Sequence, residues 1–331
     1  MGNVFQALVV RVLEDKSYSR AIEECKIEDL PDGEVLIRVH YSSLNYKDGL
    51  SCIGNRGVTR HYPHTPGIDA AGVVESSKSS NFKSGDLVVV TSYDLGMNTP
   101  GGFGQYIRVP ANWVMALPKN LTLRDSMVFG TAGFTAALSI YFLQHNGIVQ
   151  EKGPIVVTGA TGGVGSVSVA ILTKLGFSVI ASTGKSEGKN FLKNFGSVEV
   201  IGRDEVNDKY NKPLLKESWA AGIDTVGGNT LATLIKACKE NGAIAATGMV
   251  SSTDLPTTVF PFILRGVSLL GINAQGTSMK IRREIWSKLA AEWKPDKLKD
   301  LAFEHSLEDI NNEIDRILAG NQIGRVIVNL Q

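Results

Sequence analysis

The sequence predicts an α/β protein in which a β-rich region precedes a doubly wound parallel sheet. Two observations support this prediction. Short β-prone runs separated by turn residues occupy roughly the first 120 residues, which is typical of an all-β domain. From about residue 125 onward, predicted strands alternate with predicted helices, as in a parallel sheet covered by helices on both faces. The chain of 331 residues is long enough for two domains.

The β-rich region contains several short runs of β-branched and other apolar residues. Turns containing Pro-Asp-Gly, Pro-Gly or serine separate these runs, and such residues favour turn conformations. The predicted strands cover residues 7–13, 34–41, 70–75 and 86–92.

The second region begins with a helical pattern over residues 125–142 and then alternates. Because helices separate the last strand-like run from the alternating block, we expect that run to return to the β-rich domain. The predicted strands are 154–158, 177–183, 198–201, 223–226, 243–247, 267–272 and the terminal 325–330, and the predicted helices are 166–175, 186–195, 229–240, 278–293 and 306–319.

The charge balance argues against several classes of protein. The sequence has 34 basic and 33 acidic residues without a long run of one sign, so it lacks the clustered cations of a nucleic-acid-binding surface. The first residues do not form a basic segment followed by an apolar one, and no apolar run reaches the roughly 18 residues of a membrane span. We therefore expect a cytoplasmic protein that binds neither nucleic acid nor membrane.

The cysteine and histidine content argues against a metal site. Cys25, Cys52 and Cys238 are widely spaced, and the five histidines are scattered apart from the pair His61 and His64. Zinc sites need three or four convergent ligands. We therefore expect no metal and no disulfide framework.

The most informative segment runs from Ile155 to Gly165. A β-branched run leads into a glycine-rich turn and a helical pattern, and a second β-rich run closes a βαβ unit, which disfavours a glycine turn in some other α/β domain. The N–H groups and the dipole of such a helix N-terminus bind a pyrophosphate. In the pattern G-x-G-x-x-G, Ala160 replaces the first glycine. The predicted cofactor contacts are Gly159, Ala160, Thr161, Gly162, Gly163, Val164 and Gly165.

The end of the second strand indicates which dinucleotide binds. A site for NAD has Asp or Glu about 20 residues after the glycine loop, where the acid binds the ribose hydroxyls. Here the strand ends in hydroxyl residues, a glycine and a lysine, with no acid before Glu187. These residues suit the 2′-phosphate of NADPH, which an acid would repel. Alternatively, Lys185 pairs with Glu187 and Arg203 with Asp204 as ordinary surface charges. The predicted NADPH contacts here are Ser182, Thr183, Gly184, Lys185 and Arg203.

Several motifs together resemble those of the medium-chain dehydrogenase/reductase superfamily. They lie, in the family's order, at residues 66–74, 130–136, 157–165 and 324–328, so the resemblance spans the whole chain. Three narrower segments, 42–48, 224–228 and 255–265, are similar to the YhdH/YhfP family. This family belongs to the zinc-less quinone oxidoreductase class and includes NADPH-dependent acryloyl-CoA reductases.

The resemblance implies a fold and its domain boundaries. A GroES-like β-barrel catalytic domain would take residues 1–124 and 276–331, and a Rossmann NADPH-binding domain would take 125–275, with the nicotinamide in the cleft between them. Zinc-using members have a His-Glu pair where this chain has Ile68 and Asp69, and a cysteine-rich lobe where 85–110 has no cysteine. The resemblance therefore implies chemistry without zinc. It also implies cofactor contacts at Tyr46, Thr131, Gly248, Asn273 and Arg325.

Without a metal to polarise a carbonyl, hydride transfer needs a substrate that is already electrophilic, such as a conjugated C=C or a quinone. Asn45 and Lys47 are the candidate donors to the developing oxyanion, and Lys47 aligns with a proton-relay hydroxyl of the zinc enzymes. With a lowered pKa, Lys47 could also protonate the enolate. Tyr62, in a proline-bounded loop, is a second candidate proton donor. Alternatively, Lys47 is only a surface residue.

Two hypotheses for the function remain. The first is an NADPH-dependent enoyl or quinone reductase, and the second is a non-catalytic NADPH-binding protein, since a fold does not determine a function. The enzyme is favoured because Asn45, Lys47 and Asp48 accompany an intact glycine loop. A CoA substrate would need cations for its phosphates. The candidates for this are Arg56, Arg60, Arg282 and Arg283.

The apolar run 267–272 predicts a homodimer. It is expected to be the last strand of the parallel sheet, and an exposed apolar edge strand is a liability unless it is paired or covered. Pairing with a two-fold-related copy would make one continuous sheet. The resemblance implies the same assembly.

Overall fold

The computed structural model describes residues 4–196 and 198–331, and the chain divides into two compact units. Unit 1 comprises the chain up to Thr131 together with Ser278–Arg283 and Lys299–Gln331. Unit 2 comprises Ala132–Thr277 and Glu284–Leu298.

The first part of the chain is mainly β-structure and ends in a long helix. The elements are β1 (Val4–Val12), β2 (Tyr18–Lys26), β3 (Val35–Ser43), α1 (Tyr46–Cys52), β4 (Asp69–Ser77), β5 (Leu87–Thr91), β6 (Tyr106–Val109), β7 (Met115–Ala116) and α2 (Leu123–His145).

The second part alternates between strands and helices. The elements are β8 (Ile155–Val157), α3 (Gly163–Lys174), β9 (Val179–Ser182), α4 (Gly188–Lys193), β10 (Val198–Ile201), β11 (Trp219–Asp224), α5 (Gly228–Lys236), β12 (Cys238–Ala246), α6 (Phe260–Arg265), β13 (Ser268–Gly271), α7 (Met279–Leu289), β14 (Ala302–Ser306), α8 (Ile310–Leu318) and β15 (Arg325–Asn329).

Unit 1 contains an antiparallel pair, β1 and β2, and a seven-stranded sheet in the order β14-β15-β3-β4-β5-β7, with β6 paired to β3. Alternate residues of β3 are buried, as expected for a strand with one face on a core. The last strand, β15, pairs antiparallel with β3. The prediction that the chain end returns to the β-rich domain is therefore confirmed.

Unit 2 contains a six-stranded parallel sheet in the order β10-β9-β8-β11-β12-β13. All residues of β8 and β11 are buried, which is why these runs lack polar alternation in the sequence. The predicted doubly wound parallel sheet is confirmed. Strand β13 lies at one edge, as predicted for residues 267–272.

Helix α2 is apolar because most of it is buried inside the protein. It is long and apolar enough to cross a membrane, but 83% of its apolar 18-residue window is buried against other residues of the chain. Burial of this kind accounts for the composition of a core helix. The helix is interrupted at Gly130, whose φ of 51° and ψ of −156° are not helical.

The boundaries of the two units differ from those expected. Unit 1 extends to Thr131 because α2 continues without interruption through residue 125 and breaks only at Gly130. Residues 284–298 belong to unit 2, where Asp296 pairs with Lys174 and Lys297 donates to Asn194. Polar contacts of this kind leave no periodic signal in a sequence.

Candidate functional site

The first turn of α1 is anchored by a buried carboxylate. Asp48 accepts hydrogen bonds from the N–H of Asn45 at 2.7 Å, of Gly67 at 3.2 Å and of Ile68 at 2.9 Å. Asn45 is the N-cap residue and has an extended backbone. Burial, assisted by the nearby charge of Asp69, raises the pKa of the Asp48 carboxyl to about 7.

Asp69, at the start of β4, is the centre of a second buried network. Its Oδ2 accepts from Ser43 Oγ and Asn45 Nδ2, both at 2.7 Å. Thr131 donates its N–H to both carboxylate oxygens at 2.9 Å and its Oγ1 hydrogen to Oδ1 at 2.6 Å. Arg325 Nη2 lies 3.9 Å from Oδ2. This single carboxylate therefore connects β3, the cap of α1 and the break in α2.

The structure places Arg325, a predicted cofactor contact, in this buried network. Arg325 is 2% exposed, and its guanidinium donates to Ser43 Oγ at 2.7 Å and to the carbonyls of Leu44 and Val128. Burial lowers the pKa of Arg325, whereas the charge of Asp69 raises it. The guanidinium compensates a buried carboxylate in unit 1, so we do not retain it as a cofactor contact.

Asn45 is also bound within the protein rather than presented to a substrate. One Nδ2 hydrogen is donated to the carbonyl of Ser43 at 3.1 Å and the other to Asp69, while Oδ1 accepts from Arg325 Nη1 at 3.4 Å. Both amide hydrogens are therefore already used. The structure gives Asn45 a role in shaping the turn, and its role as an oxyanion donor stays a prediction.

Lys47 lies in the first turn of α1 with its side chain exposed, next to Tyr46, which is 41% exposed. Although the residue reaches the surface, partial desolvation lowers the pKa of its ammonium, against an opposing effect of Asp48. A lowered pKa is what a lysine proton donor needs at neutral pH. Lys47 and Tyr46 therefore stay candidates, and both lie on the same turn.

Tyr62 is less suited to proton donation than the sequence suggested. Its hydroxyl donates to the carbonyl of Ser51 at 2.6 Å, and its ring packs edge-on against Tyr18 at 5.0 Å. Burial raises the pKa of the phenol, which makes it a weaker acid. We do not retain Tyr62 as a proton donor.

The glycine loop of unit 2 follows β8 at the point where the strand order of the sheet reverses. Ligands of doubly wound sheets bind at the carboxyl ends of the strands beside this point. Gly162 is the N-cap of α3, and Ala160 donates its N–H to the carbonyl of Ser182 in β9. The leading N–H groups of a helix lack helical acceptors, so this donor set fits a pyrophosphate. The N–H groups concerned belong to Gly163, Val164 and Gly165.

Asp224 is a residue of this loop region that the sequence reasoning missed. It is fully buried at the end of β11 and accepts from Thr158 Oγ1 and from the N–H of Gly227, both at 2.7 Å. Thr225 and Thr158 also exchange two hydrogen bonds. Burial raises the pKa of Asp224. These contacts hold the ends of β8 and β11 together. The sequence signal that could have identified Asp224 is an acidic residue at the end of an apolar strand.

The remaining predicted loop contacts lie at the same edge of the sheet. Thr161 and Thr183 hydroxyls are 3.1 Å apart, and Gly248, two residues after β12, lies against the backbone of Thr225. Asn273 follows β13 by two residues and accepts the N–H of Gly276 through Oδ1. Parallel strands place all their carboxyl ends at one edge, which explains this grouping.

Arg203 lies across Gly184 at the adjacent carboxyl ends of β9 and β10. A Cβ added to Gly184 would come within 2.3 Å of Arg203 Nε, so the guanidinium occupies the space a side chain would need. Asp204 pairs with Lys209 at 3.3 Å and not with Arg203, which removes one of the surface-charge alternatives. Over residues 4–196 and 198–331, no side chain or carbonyl accepts from this guanidinium. It is therefore available to an anion beside Ser182 and Lys185.

The candidate contacts for the phosphates of CoA differ in their exposure. Arg282, a candidate for CoA phosphates, is 1% exposed, donates to Thr91 Oγ1 and lies 4.9 Å from the ring centre of Tyr93. It is corrected to a buried structural residue, whereas Arg56, Arg60 and Arg283 are exposed.

Within the described part of the chain, no three His, Cys, Asp or Glu side chains converge on a common point.

Comparisons with protein families match both units. The model of the alcohol dehydrogenase GroES-like domain matches residues 31–119, and the model of the zinc-binding dehydrogenase family matches residues 163–292.

Among individual proteins, YhfP of Bacillus subtilis is 45% identical over 331 residues and is covered over its full length, as is this chain. Acrylyl-CoA reductase AcuI of Ruegeria pomeroyi is 42% identical, with 99% of each chain covered. At 45% identity over its full length, this chain is a relative of Bacillus subtilis YhfP.

Solved structures agree with these matches. The crystal structure of Bacillus subtilis YhfP with NAD bound has a TM-score of 0.96 at 44% identity, covering 99% of this chain and 100% of the other. Escherichia coli YhdH with bound NADPH has a TM-score of 0.95 at 39% identity, covering 98% and 100%.

Proposed function

Since the chain belongs to the YhdH/YhfP family of the medium-chain dehydrogenase/reductase superfamily and is an oxidoreductase of that family, we propose that it reduces the conjugated C=C of acryloyl-CoA with NADPH, without zinc. The observation that carries the proposal is the position of Lys47. The residue is exposed and its ammonium has a lowered pKa, in a helical turn held by two buried carboxylates. The relative AcuI is an acrylyl-CoA reductase.

The proposed cofactor is NADPH, held by unit 2. The first turn of α3 would bind the pyrophosphate through its N–H groups, and Arg203 and Lys185 would bind the 2′-phosphate. The two structures described above differ in their nucleotide, since YhfP holds NAD and YhdH holds NADPH. The accessible guanidinium across Gly184 favours NADPH in this chain.

NADPH supplies the hydride when it is bound, and Lys47 acts on the thioester. As the new C–H bond forms at the β-carbon, the π electrons move toward the carbonyl oxygen and an enolate develops. The ammonium of Lys47 would stabilise this charge, because a preorganised donor acts most strongly where charge builds up in the transition state. Lys47 Nζ would then give its proton to the α-carbon and regain one from solvent.

The test is a comparison of substrates in one assay. We expect rapid NADPH oxidation with acryloyl-CoA, formation of propionyl-CoA in equal amount, and slower turnover with a small quinone. Faster turnover of the quinone would reassign the enzyme as a quinone oxidoreductase. Tight NADPH binding without oxidation by either compound would favour a non-catalytic binding protein.

We also propose a homodimer formed through the β13 edge and the adjacent apolar surface. In α6 and in β13, which follows it in the chain, large apolar side chains are exposed, including Ile263 at 73%, Leu264 at 59% and Leu269 at 38%. An unpaired apolar edge with such neighbours is a surface that natural proteins cover. A second copy related by a two-fold axis would pair β13 with its own counterpart, so the partner is this chain itself.

A further inference from the structure

We propose that Asp69 is a positioning residue for this reduction. Its carboxylate fixes the first turn of α1, which carries Lys47, to Thr131, the residue at which α2 resumes after its break at Gly130. The proposal rests on the proposed function for the catalytic role of Lys47. The contacts of Asp69 do not depend on that role.

Asp69 joins two segments that are far apart in the sequence. Through Asn45 Nδ2, at 2.7 Å, it holds the N-cap residue of α1, two residues before Lys47. Through the N–H and Oγ1 of Thr131, at 2.9 and 2.6 Å, it holds the residue that follows the break in α2. The carboxylate is 0% exposed, and hydrogen bonds to a charged acceptor in such surroundings are strong and directional.

The break in α2 creates the second of these contacts. Because Gly130 has a φ of 51°, the helical ladder restarts at Thr131, and the leading N–H groups of a helix have no helical acceptor. Asp69 accepts this N–H as a capping carboxylate does. A Cβ at residue 130 would lie 2.5 Å from Asp69 Oδ2, so only glycine allows the carboxylate to approach so closely.

The ion pair with Arg325 does not by itself account for Asp69. The charged groups are 3.9 Å apart, whereas the hydrogen bonds from Ser43, Asn45 and Thr131 measure 2.6–2.9 Å. A buried ion pair alone is weak evidence for a gain in stability. The shorter and directed contacts are those that determine where the α1 turn lies.

The first experiment compares Asp69→Asn with a matched control. The asparagine keeps the size but turns an NH₂ group toward N–H donors, so we expect kcat with acryloyl-CoA to fall at least about tenfold, with the Kd for NADPH changed less than about twofold. Ser42→Ala is the control, because Ser42 Oγ donates to the backbone carbonyl of Asp69 and not to its carboxylate. Its kcat should stay within about twofold of the parent.

A double variant distinguishes positioning from a general structural role. If Asp69 acts through Lys47, combining Asp69→Asn with Lys47→Ala should cost no more than about twofold beyond Lys47→Ala alone. If the loss of kcat in the double variant equals the product of the losses in the two single variants, Asp69 only supports the fold. That result would overturn the proposal.

Amide hydrogen exchange tests the same role without an activity assay. In Asp69→Asn, exchange in the segment 45–52 should be at least about tenfold faster than in Ser42→Ala, because the turn loses an anchor. Unchanged exchange would overturn the positioning role whether or not the chain reduces acryloyl-CoA. If exchange is faster but the chain reduces neither acryloyl-CoA nor the quinone, the proposed function is wrong. Asp69 is then still the anchor of the turn.

Discussion

Lys47 is the residue on which the proposed chemistry depends. Because its ammonium would act mainly on charge that appears in the transition state, Lys47→Ala should lower kcat with acryloyl-CoA about 10²-fold or more. NADPH affinity should change little, since the proposed phosphate contacts are residues of unit 2. Single-turnover NADPH oxidation and a fluorescence titration measure the two quantities.

An exposed lysine elsewhere in unit 1 provides the control for this substitution. Lys78 lies at the end of the β4 region and is exposed, so Lys78→Ala should retain the parental rate. A Lys47→Ala rate within about threefold of the parent would remove Lys47 from the mechanism.

Gly184 determines where the Arg203 guanidinium can lie. A methyl group at residue 184 would meet Arg203 Nε, Cδ and Cζ at 2.3–2.7 Å, and these atoms form the flexible end of a side chain. Gly184→Ala should therefore displace Arg203 with little loss of stability. The loss of one charge-assisted hydrogen bond, roughly 1.5–3 kcal/mol, corresponds to at least about a tenfold weaker affinity for NADPH.

Fluorescence titration with both nucleotides tests this expectation. Gly184→Ala and Arg203→Ala should each raise the Kd for NADPH and leave that for NADH within about twofold. Gly202→Ala is the control, because a Cβ there meets only Glu205 Oε1 at an ordinary 3.8 Å. Equal losses for NADH and NADPH would contradict the assignment of Arg203 to the 2′-phosphate.

The sequence predicts where a site residue lies when its position depends on chain order, but not the contacts that a residue makes when it is buried. The glycine loop and Arg203 follow predicted strands, so the parallel topology alone brings them to one edge. The contacts of Asn45 and Arg325 could not be predicted, because their donors bind residues distant in sequence, such as Asp69. No local pattern records such a contact.

Helix α1 illustrates the same limit for an element. It has only seven residues, includes Gly49, and was not predicted. Isolated helices of this length are not stable, so its formation depends on tertiary anchors. The main anchor is Asp48, which accepts three backbone N–H groups from Asn45, Gly67 and Ile68. The long, periodic elements of unit 2 were predicted because their burial is visible as apolar runs.

The raised pKa of Asp48 makes the stability of this element depend on pH. Its pKa rises from 3.8 to about 7 on folding, so the fold favours the protonated carboxyl. The stabilisation that this preference contributes is complete below pH 3.8 and is lost as the pH rises through about 7. Asp48→Asn cannot titrate. The melting temperature of the parent should therefore fall relative to that of this variant as the pH rises from 3.8 to about 7.

Thermal unfolding of both proteins over this pH range measures the effect. Asp32→Asn, which removes the carboxylate of an exposed residue, is the comparison for the loss of a charge alone. A constant difference in melting temperature between the parent and Asp48→Asn would show that Asp48 does not change its protonation on folding.

At the scale of the whole molecule, the exposed apolar surface around β13 is the feature that needs a partner. Ile263→Asp places a charge where the proposed second copy would bury an isoleucine that is 73% exposed in the single chain. Burying an unpaired charge costs several kcal/mol, so the dimer should dissociate at micromolar concentration. Light scattering should report twice the mass of one chain for the parent and the mass of one chain for the variant.

Val149→Asp is the control for this prediction. Val149 is 48% exposed and lies before β8, at a distance in sequence from the β13 surface. The control should stay dimeric. A monomeric parent at micromolar concentration would exclude the proposed assembly.

The pairing of β15 with β3 has a consequence for the order in which the protein can fold during synthesis. Ile327 stands opposite Ser43 in the sheet, and Arg325 reaches the Asp69 network from the same strand. Unit 1 thus cannot complete its sheet until Arg325–Asn329 have left the ribosome, whereas the strands of unit 2 are all available earlier. The turn that carries Lys47 therefore acquires its full set of anchors only after Arg325 has been synthesised. A nascent chain can therefore complete the nucleotide-binding sheet before the turn that carries Lys47 has all of its anchors.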